Sequence, residues 1–239
     1  MIVIKTGNIF TTPCQTIVNT VNCVGVMGAG IAYEFMLRYP QMFAKYQGFC
    51  RNGQIDIGNL WVYNHDESGN KIQKVLNFPT KRHWKDPSKV EYLEAGLQKF
   101  VSTYEQKGIT SIAFPLLGAS RGGIPEKVAL AVMQRYLEVC TIPVEIWHFD
   151  PQAKDDLYEN FKAQFTAMDE GTLKASTGLR ADMIAKVKLG LEQGHINSLS
   201  GLAQVRGIGK GTLAKAFSLV NDHGNVDIQN PTTMDLFGD

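Results

Sequence analysis

The chain has 239 residues, of which 44% are hydrophobic and 20% charged, and its formal net charge is +1. This is the composition of an ordinary globular protein with room for one good-sized domain and a small one. It excludes a global field that would draw in nucleic acid, so any such binding must use a local patch. No apolar stretch reaches the length needed to span a bilayer. The four cysteines, Cys14, Cys23, Cys50 and Cys140, lack metal-ligand spacing, and the five histidines are dispersed. The N-terminus reads as a short strand rather than a leader. The expectation is a cytoplasmic, monomeric protein with free thiols, no metal, no cofactor and no membrane contact.

In chain order, Met1 to Ile4 reads as a buried strand, being mostly β-branched and apolar. Gly7-Asn8-Ile9 is a turn, and Thr16 to Asn22 a second strand. The glycine-rich stretch from Gly25 to Ala32 follows, then a long helical pattern through Phe35, Met36, Tyr39, Phe43 and Tyr46 with a bend at Pro40. Small residues let a ligand approach the backbone, and amides at a helix start hold phosphate. The same glycines also serve close packing. They are wrongly spaced for the dinucleotide fingerprint of hydride-transfer enzymes.

Leu60 to Tyr63 and Lys74 to Phe78 read as strands joined by a hairpin over Asn64 to Lys71. Pro79 should end pairing, because it has no amide hydrogen, and place Thr80 to Trp84 in a loop at a strand's C-terminal end. Ser88, with Glu91 three residues on, has the spacing of a capping box for a helix through Val90, Leu93, Leu97 and Val101. Ile109 to Leu117 reads as a central strand. It runs into a second glycine-rich loop, Gly118 to Pro125, and a helix from Glu126 to Val139. Val144 to Phe149 is the last strand. Alternating strands and helices predict a sheet covered on both faces. Two glycine-rich loops after two buried strands predict one cleft able to hold a diphosphate.

Lys81 is the residue of most chemical interest there. A lysine in that loop is a phosphate contact, a nucleophile if its pKa is lowered, or an ordinary solvated cation. Trp84 beside it is either a stacking surface for an unpaired base or packed core, and Arg82 and Lys85 are either phosphate contacts or solvated charges.

In combination, Gly7-Asn8-Ile9-Phe10, Val18-Asn19-Thr20-Val21-Asn22, Gly25 to Ala32, Phe78-Pro79-Thr80-Lys81-Arg82-His83-Trp84 and Phe114-Pro115-Leu116-Leu117-Gly118 with Gly122-Gly123 resemble a macrodomain, the fold that binds ADP-ribose. The resemblance is most specific to the DNA ADP-ribosyl glycohydrolase antitoxins, the DarG branch, related to the TARG-like macrodomains. It implies a three-layer α/β/α fold with a mixed sheet. It implies removal of ADP-ribose from thymine in single-stranded DNA, reversing the work of a cognate ADP-ribosyltransferase toxin. It makes Lys81 the catalytic residue. The substrate-binding set it implies is Asn8, Ile9, Asn19, Asn22, Gly28, Ala29, Gly30, Ile31, Ala32, Thr80, His83, Trp84, Leu117, Gly118, Ala119, Ser120, Arg121, Gly122 and Gly123.

Two departures stand out. Asn8 occupies the place of an acidic residue that holds the adenine amine in many macrodomains, which leaves a bond without charge assistance. Ala119, Ser120 and Arg121 stand where TARG-like enzymes carry an aspartate, which fits a DNA-directed enzyme better than a hydrolase of protein carboxylate esters. A non-catalytic ADP-ribose reader is the remaining alternative.

The expected organisation is a macrodomain over 1–168, a small helical domain over 169–229 and a flexible tail over 230–239. Helical patterns cover Ala181 to Leu191, Leu199 to Val205 and Lys210 to Leu219. Ala203, Gly207 and Leu213 have helix-turn-helix spacing, and Gly207-Ile208-Gly209 loosely resembles the turn of a helix-hairpin-helix. Under either reading Arg206, Lys210 and Lys215 supply phosphate contacts. The rival reading is that this region binds the toxin.

Overall fold

The structure is a computed structural model that describes residues 1–65, 72–203 and 205–219. Among the described residues six strands form one sheet: β1 (Ile2–Gly7), β2 (Thr16–Asn22), β3 (Trp61–Asn64), β4 (Lys74–Lys81), β5 (Ile112–Pro115) and β6 (Val144–Phe149), in the order β1-β6-β5-β2-β4-β3. All pairs are parallel except β3–β4, which is antiparallel. The expected mixed sheet and the hairpin pairing are present. The hairpin's tip at 66–71 lies outside the described residues.

Side chains alternate across a strand, so each strand serves two cores. Val18, Leu76, Phe78, Ile112, Phe114, Val144 and Ile146 face one layer with α3 (Val90–Thr103) and α4 (Glu126–Leu137). Ile17, Val21, Val75, Ala113 and Trp147 face the other, with α1 (Gly30–Arg38) and α2 (Pro40–Arg51). This is the three-layer α/β/α arrangement. The outer side of α1 carries Tyr33 and Leu37 into a third core. That core is shared with α5 (Asp156–Ala167), α6 (Glu170–Thr177), α7 (Ala181–Leu191), α8 (Leu199–Leu202) and α9 (Lys210–Phe217). Arg38 reaches the same junction. Its guanidinium pairs with both oxygens of Asp155, each at 2.8 Å, and Asp155 also accepts from the Leu157 and Tyr158 amides at the start of α5.

The structure corrects several expectations. β1 is an edge strand, not a buried one: Val3 and Ile4 are exposed. Pro40 does not bend one helix but starts a second, taking the first-turn position where its missing amide hydrogen costs nothing. Pro79 lies inside β4, paired with Val21, and the strand continues to Lys81. A register shift between Val21 and Asn22 absorbs it, so Thr80 is the extra residue and Asn22 stands opposite Lys81. Thr80 is therefore a buried strand residue and not part of a loop. Ser88 does not cap α3: the cap position is Lys89, without a side-chain bond. The Ser88 amide instead donates to Gly122 O at 2.8 Å. β5 covers only the middle of its predicted run, and α8 is a single turn ending at Leu202.

Candidate active site

The parallel strands β2, β4 and β5 end at one edge of the sheet, as binding sites in open α/β sheets do. From β2 the chain enters the first glycine-rich loop, which Asn22 organises. Its Oδ1 accepts from the Val24 and Val26 amides at 3.0 and 3.3 Å, and its Nδ2 donates to Val26 O at 2.5 Å. Tyr46 from α2 donates to Asn22 O at 2.6 Å, with Asn22 Oδ1 3.2 Å away. Gly25 adopts φ +78 and its carbonyl accepts from Gln47. The amide of Asn22 is thus occupied largely by its own loop.

Asn19 does not reach the cleft. It is fully buried and donates to its opposite neighbour Asn77 at 3.0 Å, with Met27 Sδ 3.8 Å away. The pair leaves Asn19 Oδ1 and Asn77 Nδ2 without partners. It forms a polar floor beneath Met27. Gly28, Ala29 and Gly30 then lead into α1, whose cap residue Ala29 offers no side-chain bond to the first amides. The first amides of a helix without a side-chain cap are donors of the kind that anions accept.

Lys81 ends β4, and its Nζ donates to Arg121 O on the second glycine-rich loop at 2.8 Å. Its pKa is held below the ordinary lysine value, first by burial and then by the Arg121 cation, against the opposing charge of Asp86. The neighbouring cations Arg82 and Lys85 are not among the causes. Arg82 instead pairs with Asp56 at 2.6 Å. Its carbonyl accepts from the Cys23 amide at 3.1 Å, so the loop after β4 is fastened to the first glycine-rich loop. The Cys23 thiol donates to Lys81 O at 3.3 Å, and burial, helped by Asp56, pushes its pKa up to about 12, so it is no nucleophile.

Trp84 is half exposed, which rules out the packed-core reading. Its ring is tilted against His83 with centroids 5.5 Å apart, and Lys85 Nζ lies 5.1 Å from its centre. Val24 and Val26, also exposed, stand on the neighbouring loop.

The second glycine-rich loop is shaped by close packing. A Cβ on Gly118 would meet Ile124 Cδ1 at 2.8 Å, and one on Gly122 would meet Ser88 Oγ at 2.7 Å. Leu117 beneath it is fully buried. Ser120 has φ +51 and is the one non-glycine residue with positive φ among the described residues. No carboxylate stands between Ala119 and Gly123. At the other end of the cleft, Asn8 spends its Oδ1 on the Phe10 amide at 3.1 Å, capping the 3-10 turn Ile9–Thr11, and Ile9 is buried. Phe149, opposite Gly7 at the end of β6, is exposed.

Tyr46, Asp56 and Phe149 were not singled out from the sequence. Tyr46 showed only helical spacing and Asp56 no pattern at all. An aromatic as the last residue of a strand was the one available signal for Phe149.

The Macro domain family model matches residues 18–133. The DNA ADP-ribosyl glycohydrolase of Thermus aquaticus is 39% identical over 145 residues, 61% of this chain and 40% of that protein. The Mycobacterium tuberculosis DNA ADP-ribosyl glycohydrolase is 41% identical over 124 residues, 52% of this chain and 35% of that protein. The chain therefore spans about two fifths or less of the curated relatives' length. The solved macrodomain of Mycobacterium tuberculosis DarG superposes with a TM-score of 0.59 at 35% identity, covering 62% of this chain and 97% of that one. Thermosipho africanus DarTG in complex with ADP-ribose superposes with a TM-score of 0.57 at 32% identity, covering 63% of this chain and 43% of that one. With two glycine-rich loops flanking a strand-end lysine on this sheet, the chain belongs to the macrodomain family and is related within it to the DarG-type DNA ADP-ribosyl glycohydrolases.

Proposed function

We propose that this protein hydrolyses the bond between ADP-ribose and thymine in single-stranded DNA, countering a cognate ADP-ribosyltransferase toxin. The observation that carries this reading is the place of Lys81. It sits at the end of β4, between the two glycine-rich loops and next to an exposed Trp84. The α1 amides and the second loop take the diphosphate and distal ribose. Phe149 offers an aromatic face to the adenine. Trp84 offers one to the target base or its neighbour, with Lys85 on the phosphates.

Burial lowers the Lys81 pKa against the opposing charge of Asp86, with a smaller push from Arg121, which brings the neutral amine within reach at a lower pH. In the nucleophilic route Nζ attacks the anomeric carbon. The carbon–thymine bond breaks, and the base leaves with the electron pair and takes the proton lost by the lysine nitrogen. The glycosylamine ring-opens to an imine, and water hydrolyses that imine to the free sugar and restores the lysine amine. In the alternative route the lysine cation stabilises the departing thymine anion while water attacks the sugar.

The test is release of ADP-ribose from a single-stranded oligonucleotide carrying ADP-ribosylated thymine, beside a peptide carrying ADP-ribosylated glutamate. Release from DNA by wild type and not by Lys81→Ala supports the proposal. Release from the peptide alone supports a protein-directed hydrolase. Binding of ADP-ribose without turnover of either substrate makes the protein a reader.

A further inference from the structure

Arg38, the last residue of α1, joins the helical core to the turn at the far end of the cleft. Its side chain is only 13% exposed, and that of Asp155, which takes both of its hydrogen bonds, only 3%. Asp155 caps α5, and α5 shares a core with α6, α7, α8 and α9, where Phe161 meets Phe217 at 5.6 Å between ring centres. On its other side, Arg38 Cζ lies 3.9 Å from the centre of the Phe10 ring. Phe10 also packs on Phe35 of α1, with ring centres 4.9 Å apart. Its amide is the donor that Asn8 Oδ1 accepts in capping the turn Ile9–Thr11. Just beyond, Thr12 is fastened to Glu145 at 2.6 Å.

Cohesion alone does not explain such a pair. A buried ion pair loses hydration that its mutual attraction only partly returns, and apolar residues of the same volume would hold these helices together at least as well. Arg38 Nε is also buried with no hydrogen-bond partner among the described residues. The aromatic face of Phe10 is its compensation. What the pair supplies is direction. Two bonds to one carboxylate fix the guanidinium in place, and the guanidinium fixes the ring it covers. The turn over 8–11 is then held from both ends, at Phe10 by Arg38 and at Thr12 by Glu145.

We propose that Arg38 is a positioning residue for the adenosine end of the cleft: locked by Asp155, it holds Phe10 and, through Phe10, the turn that receives the base. The role rests on the reading of the cleft as an ADP-ribose site. It makes the helical core part of that site's support, because the carboxylate that orients Arg38 stands at the start of α5.

The experiment compares the full chain with Arg38→Lys and Phe10→Leu. Arg38→Lys leaves Asp155 its counter-charge but loses the flat face over the ring. Phe10→Leu keeps an apolar side chain and the ion pair but removes the ring. Calorimetric titration with ADP-ribose reads affinity and stoichiometry separately, and cleavage of the ADP-ribosylated oligonucleotide reads KM and kcat. Both variants are expected to weaken ADP-ribose by about fivefold to tenfold, the size of one hydrogen bond's contribution, at unchanged stoichiometry. KM should rise by a like factor while kcat stays within about twofold, the pattern of binding lost away from the reacting atoms. A fall in stoichiometry or kcat at unchanged affinity would make both residues merely structural and overturn the proposal. Weakening in one variant alone breaks the link between Arg38 and Phe10 and overturns it as well. Unchanged affinity in both overturns it while leaving the cleft's assignment intact. Failure of wild type to bind ADP-ribose removes that assignment and the positioning role with it.

Discussion

Tyr46 on α2 donates its hydroxyl hydrogen to the backbone carbonyl of Asn22, 2.6 Å away at the end of β2. Both residues are buried. The bond ties a helix on one face of the sheet to the start of the first glycine-rich loop. Tyr46→Phe removes it with almost no change in shape and leaves a buried carbonyl unpaired. The expected cost is about 1–2 kcal/mol of stability, read by urea denaturation. ADP-ribose affinity, measured by calorimetry, should fall with it, because Asn22 then holds Val24 and Val26 less firmly. Full affinity at lower stability would show that the loop does not depend on this tie.

Lys81 gives the chemistry its pH dependence. Its pKa lies below 10.5 because burial, then Arg121, disfavours the charged form. If the neutral amine attacks, single-turnover cleavage should rise with pH toward that pKa and level off above it. Borohydride should then trap the opened sugar on Lys81. Lys81→Ala should lose about two orders of magnitude or more in rate, the range for removing one acid–base or electrostatic group. A rate that falls as pH rises, with nothing trapped, would assign Lys81 to the cationic route.

Gly96 on α3 faces Phe78, and a Cβ there would stand 2.2 Å from the Phe78 ring. Phe78 is fully buried in β4, three residues before Lys81. Gly96→Ala must push the ring or the helix aside, at a cost of about 1–3 kcal/mol or more for an overpacked core. The melting temperature should drop accordingly. Cleavage should weaken even well below the melting temperature, since the displaced strand carries the lysine.

Much of this frame was legible in the sequence. β2, β4 and β6 announce themselves as apolar runs, and the glycine-rich loops after β2 and β5 mark the cleft. What escaped was non-local. The β-branched composition of Ile2 to Ile4 is the same for a central and an edge strand. Its place depends on pairing with β6, about 140 residues away. The rule that proline ends a strand failed at Pro79 because a bulge against β2 accommodates it. The spacing from Ser88 to Glu91 is that of a capping box, yet the Ser88 amide is already spent on Gly122. Asp56 holds Arg82 from a loop that carries no pattern of its own.

Glu145 predicts how the fold responds to acid. It is nearly buried and accepts from Lys5 Nζ at 2.5 Å, Thr12 Oγ1 at 2.6 Å and Trp147 Nε1 at 2.9 Å, joining β1, β6 and the chain before β2. Burial alone would raise its pKa, but these donors outweigh burial and hold it below the ordinary value of 4.5. The folded protein therefore releases this proton more readily than the unfolded chain does. As pH falls below about 4.5, the unfolded state takes up the proton first, and stability declines through the folded pKa. Above that window the contribution is present in full. Glu145→Gln removes the charge and mismatches one donor, so it should cost about 1–3 kcal/mol at neutral pH. The gap between wild type and variant should narrow as pH drops below 4.5. Denaturation midpoints measured from pH 7 to pH 3 would show two converging curves. Parallel curves would mean that Glu145 keeps its ordinary pKa and that its three donors contribute by shape rather than by charge.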